Sequence, residues 1–162
     1  MLDQLLDLLA WIPEELIILF IAMLPLIELR GAIPVAIGIF HMPIPEAFIL
    51  SVIGNMIPIP FILIFFKDVE AWLRKREWWD RWFERLYERT RSRAGEKIKK
   101  YEELGVILFV AIPLPGTGAW TGSLIAYLFG LRYKISLAII FLGVIIAGIL
   151  VTAIVEMGLN FL

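Results

Sequence analysis

The sequence predicts an all-α integral membrane protein. It reads as two inverted repeats, each a re-entrant hairpin plus one transmembrane helix, with a long cytoplasmic helical arm between them. Three observations carry this reading. First, 60% of the chain is hydrophobic and residues 47–66 and 135–155 are uncharged, each about the ~20 residues that a spanning helix needs. Second, two opposite charges, Glu28 and Arg30, interrupt an apolar stretch that is otherwise uncharged from residue 16 to residue 40. Third, twelve of the fifteen basic residues fall in residues 67–103. Mean hydropathy is +0.86, and with residues 105–131 also uncharged, three long uncharged runs in 162 residues are foreign to a soluble domain of this size. One membrane domain, residues 1–162, is the expected organisation.

The elements follow in order. Residues 1–13, opening MLDQLLDLLAW, have no basic start of the kind a cleaved signal peptide shows. They read either as a short amphipathic segment lying on the membrane or as a frayed terminus. Residues 14–66 form the first repeat. Its opening segment is broken, because Pro25, Gly31 and Pro34 surround the charges and such residues interrupt helices. The apolar part, residues 16–27, would reach only about 18 Å as a helix, against a hydrocarbon core of about 30 Å. An unbroken span over residues 47–66 closes this repeat.

Residues 67–103 form the arm. Nine acids accompany its twelve bases, so it carries about +3, which the positive-inside rule places in the cytoplasm. Glu70–Arg74, Glu77–Arg81 and Glu96–Lys100 are acid-before-base pairs at i,i+4 and favour helix. Trp72, Trp79, Trp82, Phe83 and Leu86 recur at helical spacing, with Trp78 and Tyr87 widening an aromatic face. That face suits either the headgroup level of anionic lipid or packing against protein. Gly95 is expected to break the arm. The near balance of charge argues against a nucleic-acid partner.

Residues 104–162 form the second repeat: a broken segment around IPLPGTGAW, then the span at 135–155. If each broken segment dips to mid-membrane and returns, Arg132 and Lys134 join the arm in the cytoplasm. Fourteen of fifteen basic residues then lie on one side. Four simple spans would put Arg132 and Lys134 outside. Irregular backbone at membrane depth needs protein or water around it. Inverted repeats of this kind are a common plan for secondary transporters.

Several chemistries find no support. The chain has no cysteine and a single histidine, His41, so thiolate and most zinc or iron sites are excluded. No metal or cofactor is expected. GTGAWTG misses the GxGxxG spacing by one position, and neither GxSxG nor a P-loop occurs. The protein is expected not to be an enzyme.

The candidate site is the pair of breaks. Arg30 suits a phosphate as a forked, charge-assisted donor. Glu28 is a carboxyl that burial would favour in its protonated form. Backbone N–H groups at residues 116–118 would add to an anion site. The alternative is an ion pair that only holds the hairpin. Trp120 reads as packing or as a substrate contact, and Asn55 as a helix-bonding side chain or part of the path.

IELRGAIPVAIG and IPLPGTGAWTGSLIAYLFGL resemble the archaeal and bacterial family of small multidrug export proteins, within the wider DedA superfamily. The resemblance covers nearly the whole chain, with the arm as its variable part. It implies paired re-entrant hairpins, a site embedded in the membrane, and, from the superfamily, movement of lipids such as polyprenyl phosphates or phospholipids. Glu28, Arg30, Gly31 and Pro34 stand in the ELRGAIP string, and Pro113, Gly116, Thr117, Gly118 and Trp120 in the PLPGTGAW turn. The second hairpin carries no arginine, unlike DedA proteins proper.

Three functions are therefore expected alternatives. The first is a lipid transporter, proton-linked or passive, at facing hairpins. The second is an exporter of small cationic compounds that uses Glu28. The third is a structural membrane protein whose arm recruits a partner. Membrane lipids are the expected partners, and a second copy of the chain is an open one. A multi-pass protein of the cell membrane is the expected location.

Overall fold

A computed structural model describes residues 12–78, 80–81, 84–85, 96–114 and 116–160. Among these, the secondary structure is helical with no strand. We number the helices α1 (Glu14–Met23), α2 (Glu28–Gly38), α3 (Ile44–Met56), α4 (Pro58–Leu73), α5 (Glu96–Ala111), α6 (Ala119–Leu128) and α7 (Tyr133–Asn160). Two stretches are long and apolar enough to cross a membrane: Ile44–Leu73, of 30 residues, and Tyr133–Gly158, of 26 residues. Less than half of each apolar window is buried within the chain. Ile49, Phe61, Ile64, Phe65, Phe141 and Ile149 all stand about half exposed or more, as suits side chains that face lipid rather than a soluble core. The protein is a membrane protein.

The chain divides into two compact units, Met1–Asn55 with Gly148–Leu162, and Met56–Ala147. In the first unit α1 and α2 pack against each other as a hairpin. Ile18 and Ala22 from α1 and Leu29, Ala32, Ile33 and Ala36 from α2 are buried. The helices have 10 and 11 residues, so each is about 15 Å long, half the hydrocarbon thickness. Helix α3 comes against α1 at Gly54, where an added Cβ would lie 2.6 Å from the Leu19 carbonyl oxygen and 2.8 Å from the Ala22 Cβ. It meets α7 where the Phe48 ring covers Gly148. Between helices in lipid, small residues of this kind replace the hydrophobic effect as the means of close association.

The second unit is built around α6, which packs on both α4 and α5. Val110 of α5 fills the space above Gly122 of α6 and Gly143 of α7; a Cβ on either glycine would fall within 2.7 Å of its side chain. Since Val110 ends one helix and Gly122 begins the next, α5 and α6 reverse direction at the residue 112–118 turn. Helix α6 closes in a Schellman motif: Leu131 N–H reaches the Ala126 carbonyl at 3.1 Å and Gly130 N–H that of Tyr127 at 2.8 Å. This motif needs a left-handed residue, and Gly130 supplies it at φ 68°.

Four expectations change. The first broken segment breaks only at Pro25; α2 runs on through Gly31 and Pro34. One proline removes one hydrogen bond, and the packed flanking turns carry the helix across it. The first span carries a one-residue interruption at Ile57, which keeps helical dihedrals while Pro58 and Pro60 each lack an N–H donor. The arm does not begin as a separate element at residue 67, because α4 continues to Leu73. At its far end α5 runs across residue 104 from charged to apolar sequence without a break, Gly105 included. The amphipathic reading of residues 1–11, the side chains Trp79, Trp82, Phe83, Leu86 and Tyr87 of the expected apolar and aromatic face, and the break at Gly95 lie outside the described residues. So do the side chains of Glu96 and Lys100.

Candidate functional site

The first hairpin's tip follows from Pro25. A residue before proline avoids the α region, and Leu24 is extended at φ −71°, ψ 133°, so α1 stops at Met23. The chain turns over residues 24–27 and restarts as Glu28 N–H donates to the Leu24 carbonyl at 3.0 Å. Glu28 itself takes a left-handed conformation, φ 52°, which is costly for a residue with a Cβ and gathers at functional sites. Its side chain is only 4% exposed. Arg30 is half-buried, and the charges of the two residues act on each other. Gly31 has a packing reason of its own: a Cβ there would lie 2.2 Å from the Ile27 side-chain methyl. The structure therefore places Glu28, Arg30 and Gly31 together at one tip, with half-buried Pro34 one turn further along α2.

The same unit holds Asn55, which the sequence singles out, and two polar side chains that it does not, Ser51 and Thr152. Ser51 is fully buried, Asn55 is 1% exposed and Thr152 is 9% exposed. Ser51 Oγ, Asn55 Oδ1 and Thr152 Oγ1 take no hydrogen bond among the described residues. Ser51 and Asn55 are spaced i,i+4 and share one face of α3. Ser51 and Thr152 each lie within a turn of the contact between Phe48 and Gly148. Ser123 of α6 gives the contrast, since its hydroxyl bonds back to the Ala119 carbonyl at 2.6 Å, the usual outlet for serine in an apolar helix. Spacing of small polar residues along residues 51–55 was the available signal, and only Asn55 was drawn from it.

The second tip is closed differently. The Thr117 hydroxyl lies 2.8 Å from the carbonyls of both Ile112 and Leu114 and accepts from Leu114 N–H at 3.2 Å. Thr117 N–H donates to the Leu114 carbonyl at 3.2 Å, and the Thr121 hydroxyl to that of Gly116 at 3.2 Å. Gly116 at φ 80° and Gly118 at φ 137° let the chain fold around this threonine. Pro113 and Trp120 are half-buried, Gly116 is exposed, and Gly118 is buried. The sequence placed Thr117 in a substrate site; its hydroxyl is engaged in shaping the turn.

A third polar group lies at the other end of α6. Glu70 of α4 is 7% exposed. It accepts from the Tyr127 hydroxyl and from Arg74 Nε at 2.6 Å, while Arg74 Nη1 reaches Asp80 Oδ1 at 3.0 Å. The Tyr127 ring also meets Phe66 at 4.9 Å between centroids, tilted by 59°. Burial disfavours the Arg74 charge, but hydrogen bonding and attraction from Glu70, then Asp80, outweigh it and raise its pKa above the ordinary value. The Glu70–Arg74 pair was legible as i,i+4. The Glu77–Arg81 spacing produces a contact of another kind, Arg81 Nε to the Glu77 carbonyl at 3.3 Å.

Residues 28–150 match the family model described as "Putative small multi-drug export protein". The chain belongs to this family. The match opens at Glu28 and takes in the second tip, Asn55 and the Glu70 group. No curated protein and no solved structure matches the chain. The family's description speaks of export; it says nothing of lipid.

Proposed function

We propose that the protein is a membrane transporter that exports small cationic compounds, with Glu28 as the carboxylate that receives them. One observation carries this reading: a buried glutamate in a left-handed turn, at the tip of a hairpin whose helices are half as long as a bilayer is thick. Such a hairpin suits re-entry to mid-membrane, where transporters hold their substrates. A buried ionisable group at that depth is costly, and such groups mark substrate and ion pathways. Ser51, Asn55 and Thr152 support the same reading, because they offer acceptor oxygens in the same unit, as a cation requires. The family's description as an export protein agrees with it.

Arg30 favours a second reading, in which an anionic lipid headgroup is moved. This is the function that the resemblance to the DedA superfamily implies. On either reading the two hairpins form inverted repeats, the arm lies in the cytoplasm, and the protein acts as a carrier rather than an enzyme.

Reconstitution into liposomes separates the readings. Under an imposed pH gradient the protein should move a fluorescent cationic dye, and Glu28→Gln should stop it. Movement of fluorescent phospholipid without dye movement, lost in Arg30→Ala, would replace the first reading with the second. Movement of neither would remove both.

A further inference from the structure

We propose that Glu70 is a joint that makes the start of the charged arm and the exit end of the second hairpin move as one body. The geometry is specific. Glu70 sits one turn before the end of α4 and is buried. One of its oxygens holds Arg74 and the other holds Tyr127, one residue before the end of α6. Arg74 extends the chain of contacts to Asp80, beyond the end of α4. Four side chains thus tie three places together: the end of a span, the end of the hairpin's second helix, and the first turns of the arm.

The chemistry makes the joint all-or-none. A buried carboxylate that loses Arg74 is left with an uncompensated charge, and one that loses the Tyr127 hydroxyl is left with an unsatisfied acceptor oxygen, so either loss opens the joint. Phe66 adds a ring contact beside the hydrogen bond, which fixes the orientation of Tyr127 as well as its distance. A displacement of the arm at Asp80 is passed through Arg74 and Glu70 to Tyr127, and so to α6 and the tip that Thr117 closes at its far end. That this displacement alters transport rests on the reading given above; the mechanical coupling does not.

The test uses the full chain in lipid nanodiscs. Because the sequence has no cysteine, spin labels can be placed at Lys75→Cys and Lys134→Cys, both exposed positions. Their distance distribution should be narrow in the parent. Tyr127→Phe keeps the ring against Phe66 and removes only the donor; it should widen the distribution at least twofold. Glu70→Ala should widen it equally, and the two changes together should add nothing further. Glu77→Gln, an exposed acid nearby, should leave it unchanged. Widths unaltered in both Tyr127→Phe and Glu70→Ala would overturn the joint, whether or not the protein transports anything. In liposomes where the parent carries substrate, Tyr127→Phe should change the rate at least threefold. An unchanged rate there would overturn the link from the joint to transport.

Discussion

The two hairpin tips share a plan and differ in what they do with polarity. Each joins an apolar helix to the next across a proline-containing turn, and each places residues at positive φ in or beside that turn. At the second tip the left-handed positions are glycines, and one threonine hydroxyl is engaged by three backbone groups. That tip carries no charged side chain. At the first tip the left-handed position is a glutamate with a buried side chain, with an arginine two residues later. A glycine would form the first turn at lower conformational cost. The chain places a charged side chain there instead. The second tip uses its threonine hydroxyl to close its turn, whereas the first sets a buried glutamate at its left-handed position.

The sharpest way to break this contrast is to exchange function for stability at each tip. Glu28→Ala should lower transport in liposomes by tenfold or more. Thr117→Val should leave transport within about threefold while lowering the melting temperature in detergent. If Glu28→Ala and Arg30→Ala instead cost stability alone, the pair is only a bridge. Breaking a buried pair then costs about 3–5 kcal/mol. The double change Glu28→Met with Arg30→Leu would recover it with transport intact.

A smaller effect is expected from the turn of the second tip. Removing the Thr117 hydroxyl withdraws one donor shared between two carbonyls and an acceptor from one N–H, worth about 1–3 kcal/mol if those groups are left unmet. Gly116→Ala forces a Cβ into a left-handed position and should cost about 1–2 kcal/mol, although nothing crowds the site itself. Denaturation in matched detergent measures both. An equal loss at both positions with no change in transport sharpens the comparison; a transport defect at Thr117 without destabilisation would break it.

The smallest perturbation tests placement. A single cysteine at Lys134 should react only with reagent from the arm's side of the membrane, like one at Lys75. Cysteines at His41 and Asn160 should react only from the other side. Labelling of position 134 from His41's side would remove the re-entrant reading of the second hairpin.

Much of this was legible in the sequence. Long uncharged runs mark α3, α4 and α7, and the break at Pro25 is set by a local steric rule. Glu28 and Arg30 stand out because charge is rare in apolar sequence. Other features were not legible, for physical reasons. Whether Pro34 breaks a helix depends on the packing around it, which no local string records. Thr117 enters the sequence reading through the backbone of its turn, and the use of its hydroxyl to close that turn shows only once the chain is folded. Ser51 and Thr152 were passed over because serine and threonine in apolar helices normally satisfy themselves, as Ser123 does. Tyr127 was invisible as a partner of Glu70 because 57 residues separate them.

Val110 carries a consequence for how the second unit can deform. Its two methyls occupy notches left by Gly122 and Gly143, so α5 cannot slide lengthwise past α6 or α7 without climbing out of both. Rocking about that point, by contrast, would leave both methyls seated in their notches. Val110 therefore works as a detent, permitting tilt and forbidding translation. Enlarging either notch-forming glycine while trimming the valine, as in Gly143→Ala with Val110→Ala, would trade a pivot for a smooth bearing.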